Sequence, residues 1–413
     1  MGLVFRGGRI VDGLGGVLAD GAVHVEGDRI ARVGATPSPA PDGHQVVDLR
    51  GATLLPGFID CHVHLRSEGG ADPVSQVMQD ADPMVALRIA RNAWRTLRAG
   101  LTTVRDCGGK NHVEFAARAA LAEGLFLGPR LLLAGKAICM TGGHAWRYGR
   151  EADGPDDVRK AVREQLKAGA DFVKFIATGG IMTPEVEIGS PQLSVDELRA
   201  GIEEVHNAGR KASAHAHGIQ GIRNALAAGI DSIEHGYFLD DEAAAFMVEL
   251  GVTLVPTSAA VQTVARLGTE AGIPAPAVRK ARFALEHHVR NFRRAHAAGV
   301  KLAMGTDTGV PCMRHGENLQ ELAAMVALGL TPMEAIVATT SAAAAFLGRP
   351  DLGAIEAGRK ADLVVVDGDP LADVGVLTRR EAIRAVYQDG REVFRRGMAE
   401  PADRDLVAVL DRA

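Results

Sequence analysis

Cysteine is scarce in this chain: Cys61, Cys107, Cys139 and Cys312 are the only four in 413 residues, and no two are close in sequence. That spacing argues against a disulfide framework or a zinc knuckle and predicts a protein of the reducing cytoplasm. Long apolar runs are missing too. Stretches such as Leu131 to Leu133 or Val364 to Val366 fall far short of the roughly 20 residues that a bilayer span needs. There is no basic excess, since the formal charge is -5 and lysine and arginine are dispersed, so a nucleic-acid partner is not expected. The first residues, MGLVFRGGRI, lack the basic-then-apolar pattern of an export leader, and Arg6 stands where a myristoylation signal needs Ser or Thr.

What is present is an ordinary globular composition, with 47% hydrophobic and 23% charged residues, in a chain long enough for a barrel of about 250 residues plus a smaller domain. A unit recurs along it, in which a helix-like stretch ends in Gly and a short apolar run follows. It starts at Gly100 (LTTVRDCGG), Gly128 (PRLLLAGKAI), Gly169 (ADFVKFIATGG), Gly209 (RKASAHAHG), Gly229 (IDSIEHG), Gly251 (VTLVPTS) and Gly299 (VKLAMGTDTG). Gly after a helix takes the left-handed conformation that closes it, and the apolar run reads as a strand buried on both faces. With FIDCHVHL after Pro56 and Gly57 the strands number eight, which predicts an α/β fold, a (βα)8 TIM-type barrel, over residues 56–345.

Residues 1–55 and 346–413 differ, because short apolar runs there alternate with Gly and Asp turns without helices between them. They predict one small β-sandwich domain built from both chain ends, with a surface loop at Pro37 to Pro41. Two Gly- and Pro-containing stretches, Met182 to Ser194 and Leu267 to Pro276, follow strands four and seven and are expected as substrate loops.

The polar residues at the strand ends, which play no part in the apolar pattern, converge. His62 and His64 end strand one, Lys174 lies in strand four, His215 and His217 end strand five, His235 ends strand six and Asp307 ends strand eight. Barrel active sites are built at these ends. Residues two apart on a strand share a face, so His62 and His64 can reach one ion while Cys61 and Val63 point away. Imidazole with carboxylate suits zinc or a similar cation. Lys174, inside the apolar run DFVKFIATGG, is costly to bury unpaired. Its amine can take up carbon dioxide, and the resulting carbamate can bridge two cations; a strand lysine paired with Asp171 or snorkelling to the rim is the structural alternative.

GFIDCHVHL, the strand-four lysine, HAHG, IEHG, GTDTG and GAIEAGRKADLVVVDGDPL, in that order, resemble the amidohydrolase superfamily over nearly the whole chain. VKFIATGG, SAHAHG and the TGGH at Thr141 to His144 look most like its branch of Xaa-Pro dipeptidase-like, arginine-carboxypeptidase-like and ochratoxin-hydrolysing amidases. The resemblance implies two divalent metal ions, zinc by preference: His62, His64 and Asp307 on one, His215 and His235 on the other, with carbamylated Lys174 between them. It implies a small-molecule substrate, a homo-oligomer, Asp307 as general base and acid, and His144 and His217 as further catalytic and substrate-binding groups. Tyr237, Arg314 and His315 are expected to bind substrate as well, and with Arg147 to hold a free carboxylate, as on a dipeptide or N-acyl amino acid. A one-metal deaminase is the first rival, but such enzymes usually carry Glu three residues after the strand-five histidine, where this chain has Gly218. A catalytically dead scaffold would have lost ligands, and none is missing. A phosphotriesterase would share the bridged pair without the small β-domain.

Overall fold

The computed structural model describes residues 2–35 and 41–397. Most of the expected Pro37–Pro41 loop and the end of the small domain, 398–413, lie outside the described residues. The eight expected central strands all form: Phe58–Val63, Leu101–Asp106, Arg130–Leu133, Phe172–Ile176, Lys211–Ala216, Ser232–His235, Thr253–Val255 and Lys301–Leu302, numbered one to eight below. Strands one, two, four, five, six and seven have at most one residue that is not buried, as expected for parallel strands covered on both faces.

Every neighbouring pair is parallel, yet the ladders fall into two sheets: strands one to three, and strands four to eight extended by Ile138–Cys139 and Arg150–Glu151. This differs from the single closed sheet expected. Strand eight leaves regular pairing after Leu302, which opens the ladder toward strand one. Backbone hydrogen bonds cross both junctions all the same. Asp171 N donates to Leu133 O at 2.8 Å, Cys61 N to Met304 O at 2.8 Å and Asp307 N to His62 O at 2.7 Å.

Of the turn glycines, Gly100, Gly169, Gly209, Gly229, Gly251 and Gly299 have positive φ. Gly128 does not; a Cβ there would stand 2.9 Å from the Ala93 Cβ, so close packing accounts for it instead.

Both chain ends form one sheet of eight strands, in the order Arg391–Arg395, Ile383–Gln388, Leu363–Val366, Thr53–Pro56, Leu3–Val11, Val17–Glu26 and Arg29–Ala35, with Gln45–Asp48 also paired to Leu3–Val11. It is a single sheet, not the two packed sheets expected of a sandwich. Its far ends share a core, as Val23, Val25 and Ile30 cluster with Leu363, Val365 and Tyr387. Val364, Val366 and Val386, on the alternate positions, pack instead with Leu97, Leu101 and Val104 of the central body. The run LVVV is therefore apolar throughout because both of its faces are buried.

Of the two expected substrate loops, the one from Met182 follows strand four directly. After strand seven comes a helix, Ser258–Leu267, and only then the 3-10 turn Gly268–Ala271, so the helix and not the Leu267 loop borders the strand ends. No helix of the described residues is long and apolar enough to cross a membrane, and the four cysteines are free.

Candidate metal centre and active site

The carboxyl ends of the central strands open into a cavity lined by His62, His64, Lys174, His215, His217, His235 and Asp307, with His144 and Tyr237. Asp307 Oδ1 lies 3.4 Å from His62 Nε2 and 3.1 Å from His64 Nε2. One ligand atom each of His62, His235 and Asp307 falls within 4.8 Å of the others, and the same holds for His215, His217 and His235. Both histidines of HAHG thus stay in the cluster.

The second nitrogen of several rings is held from behind, which sets the one facing the cavity. His62 Nδ1 meets Glu234 Oε2 at 2.7 Å, His235 Nδ1 meets Thr257 Oγ1 at 2.7 Å, and His215 Nε2 points at Gly179 O at 3.4 Å. His62 and His235 are left with Nε2 toward the cavity, and His215 with Nδ1. Glu234 is itself held by Arg105 Nη2 at 2.6 Å and by the Ser213 and Ser232 hydroxyls at 2.7 and 2.9 Å. Sequence reasoning missed Glu234. Strict alternation turns it away from His235, but His235 has φ +72°, so the strand twists and both side chains serve the site. Asp307, at φ +60°, is bent in the same way.

Burial and the surrounding rings push His215, His217 and His235 well below the usual imidazole range, and burial with Arg66 takes His64 down to about 3. All four are neutral, the form that binds a cation. Burial alone would raise the Asp307 carboxyl; the His62 and His64 rings overcome it and hold Asp307 ionised. Lys174 is 2% exposed, its Nζ has no hydrogen-bond partner, and burial lowers its pKa. His217 Nδ1 is likewise buried without a partner.

His144 Nδ1 lies 2.8 Å from Thr183 Oγ1, which also accepts from Ala145 N at 3.4 Å. His144 Nδ1 is thus held from behind, and Nε2 is the nitrogen left for the cavity. Tyr237 lines the cavity with its ring, which stacks on His217 at 4.6 Å, while its hydroxyl is spent on Thr257.

Three of the residues expected to hold a carboxylate do not border this cavity. Arg314 is exposed. Arg147, also exposed, faces Glu185 at 3.4 Å and covers the Trp146 ring. His315 is buried behind strand one, its Nε2 placed 3.2 Å from His64 O and 2.9 Å from Ser67 O. Loops that leave a strand end can turn to solvent, and the sequence does not show the turn. Cys107 and Arg66 line the cavity instead.

Residues 53–393 match the amidohydrolase family. Ochratoxinase of Aspergillus niger is 31% identical over 370 residues, covering 82% of this chain and 75% of that protein. The crystal structure of a Xaa-Pro dipeptidase with methionine bound in its active site superposes with a TM-score of 0.89 at 33% identity, over 96% of this chain and all of that one. A prolidase complexed with N-methylphosphonate-L-proline gives 0.89 at 33% identity, again over 96% and 100% of the two chains. From residues 53 to 393 this chain belongs to the amidohydrolase family, and it is a hydrolytic enzyme.

Proposed function

We propose that the enzyme hydrolyses the amide bond of a dipeptide or N-acyl amino acid, with two divalent cations, zinc by preference, at the mouth of a barrel closed by its eight strands. The observation that carries this reading is Lys174. An amine sealed among imidazoles and the Asp307 carboxylate, with no hydrogen-bond partner, fits carbamylation and a bridging role. The donor set fits the cations: His62, His64 and Asp307 would hold one, His215 and His235 the other, and Lys174 both. Bound there, the pair would supply an acidified water and a polarised carbonyl.

The protein's own groups do the rest. Asp307 accepts the proton of the attacking water as the new C–O bond forms, then gives it to the departing nitrogen as the C–N bond breaks. His144, held at Nδ1 by Thr183 and protonated on Nε2, would donate to the oxygen that becomes negative, with His217 beside it. The deaminase alternative has less support. A Cβ at Gly218 would lie 2.1 Å from Gly189 O, so the backbone leaves no room for a glutamate at that position.

Enzyme produced with zinc and bicarbonate should contain two metal ions per chain and release free amino acid from N-acyl amino acids. Lys174→Ala should lose one ion and most activity with an unchanged circular dichroism spectrum. Full activity with one ion, or in the Lys174 variant, would overturn the proposal; release of ammonia from cyclic amidines would favour the deaminase.

A further inference from the structure

Arg66 stands in an unusual place for an arginine. It is 5% exposed and lines the cavity, yet no carboxylate among the described residues pairs with it. Its Nη1 donates to Gly108 O and lies 2.8 Å from His64 Nδ1, and the guanidinium lies 4.2 Å from the centre of the Tyr148 ring. Its Nε is buried without a hydrogen-bond partner, and Tyr148 shares the cavity wall. The acids nearby are otherwise engaged. Asp106 accepts from Leu65 N at 2.9 Å and Gly108 N at 3.0 Å, and the Glu114 carboxyl is raised to about 8 by burial and by Asp106, which keeps it protonated at neutral pH. Arg66 is the strongest charge acting on Asp106, but no carboxylate among the described residues touches the guanidinium, and a group that cannot shed its charge leaves that face open to an anion from a ligand.

The rest of the cavity wall is apolar. Val74 and Val77 of the helix Pro73–Gln79, Met182 after strand four, Val261 and Val264 of the helix after strand seven, and Val310 line it. Such a wall receives aliphatic or aromatic groups and disfavours charged ones.

We propose that Arg66, with the Tyr148 hydroxyl, is the seat of the substrate carboxylate, and that the apolar wall takes the side chain of the residue bearing it. The preferred substrates are then N-acyl derivatives of apolar amino acids with a free carboxylate. This rests on the amide-hydrolysis reading above, and it replaces Arg147, Arg314 and His315 in the role that the sequence suggested for them. Guanidinium and carboxylate match in a two-pronged geometry that an ammonium cannot reproduce.

The test compares N-acetyl-L-leucine with N-acetyl-L-leucinamide in wild type, Arg66→Met and Arg66→Lys, reading the ratio of the two kcat/KM values within each protein. A charge-assisted hydrogen bond predicts a ratio of about 10 to 100 in wild type, falling toward one in Arg66→Met and recovering in part in Arg66→Lys. N-acetyl-L-aspartate should be a poorer substrate than N-acetyl-L-leucine. Calorimetric titration with L-leucine and L-leucinamide reads the same preference without turnover. If Arg66 only held His64 in place, acid and amide would slow together and the ratio would stay, which would overturn the seat. So would a wild-type ratio near one. Wild-type enzyme that cleaves neither compound refutes the amide-hydrolysis reading instead, and the titration then still decides the role of Arg66.

Discussion

Glu114 is a carboxyl on the helix Val113–Ala122, 1% exposed, with neither oxygen hydrogen-bonded. Burial and Asp106 raise its pKa from 4.5 to about 8. The folded state thus holds a proton that the unfolded chain releases above 4.5, so stability is full below that pH and declines as pH rises toward 8. Glu114→Gln has no proton to lose. The variant should match wild type near pH 4.5 and gain on it by at most about 1.4 kcal/mol per unit up to pH 8. Denaturant melts at four pH values check this, and parallel curves for the two proteins would refute it. The same scale shows where sequence reasoning stops. His62, His64 and Lys174 are conspicuous because their residue types are rare in apolar strands. Arg66 is not, since it stands beyond the strand end; Glu234 was within reach by the same criterion, but its partners Arg105 and His62 come from distant segments.

At the scale of elements, the stretch after strand four is tied down by the long helix Ala275–Ala297. Lys280 on that helix is buried and donates to Thr183 O at 2.8 Å and to Val186 O. Thr183 in turn orients His144, so Lys280 acts on the ring two contacts away. Lys280→Met takes the ammonium from both carbonyls and leaves Thr183 O only the longer bond from Val186 N at 3.4 Å, so it should cost about 1–3 kcal/mol of stability. We expect kcat to fall about tenfold through a misplaced His144, and Thr183→Val to produce the same fall without the stability loss. Unchanged kcat in both variants would reduce the contact to loop packing. The helix-Gly-strand unit was legible because strands buried on both faces are apolar from end to end. The two-sheet division was not, since it turns on where strand eight leaves its ladder after Leu302, which no composition records.

At the scale of the whole molecule, the sheet made from the chain ends is fastened to strand three by charge as well as by apolar contact. Arg130 pairs with Asp362 and, at 2.6 Å, with Asp389, while Asp362 is 3% exposed and also accepts from Asp389 N at 2.9 Å. Asp389 remains as a partner for Arg130 when Asp362 is removed, so Asp362→Ala should lower stability by about 1–3 kcal/mol, the cost of the lost charge-assisted bonds. Calorimetry should still show one transition, because Val364 and Val366 belong to the central core; two separate transitions would contradict that coupling.

The strand Leu363–Val366 pairs with Thr53–Pro56, its antiparallel neighbour from the other end of the chain. During synthesis Thr53 leaves the ribosome 310 residues before Leu363, a difference of positions that amounts to roughly 15–60 s at about 5–20 residues per second. For that interval the apolar strand Thr53–Pro56 and the base of the central body wait uncovered. The step that seals this sheet therefore waits for Leu363–Val366 to be made, long after the strand it pairs with.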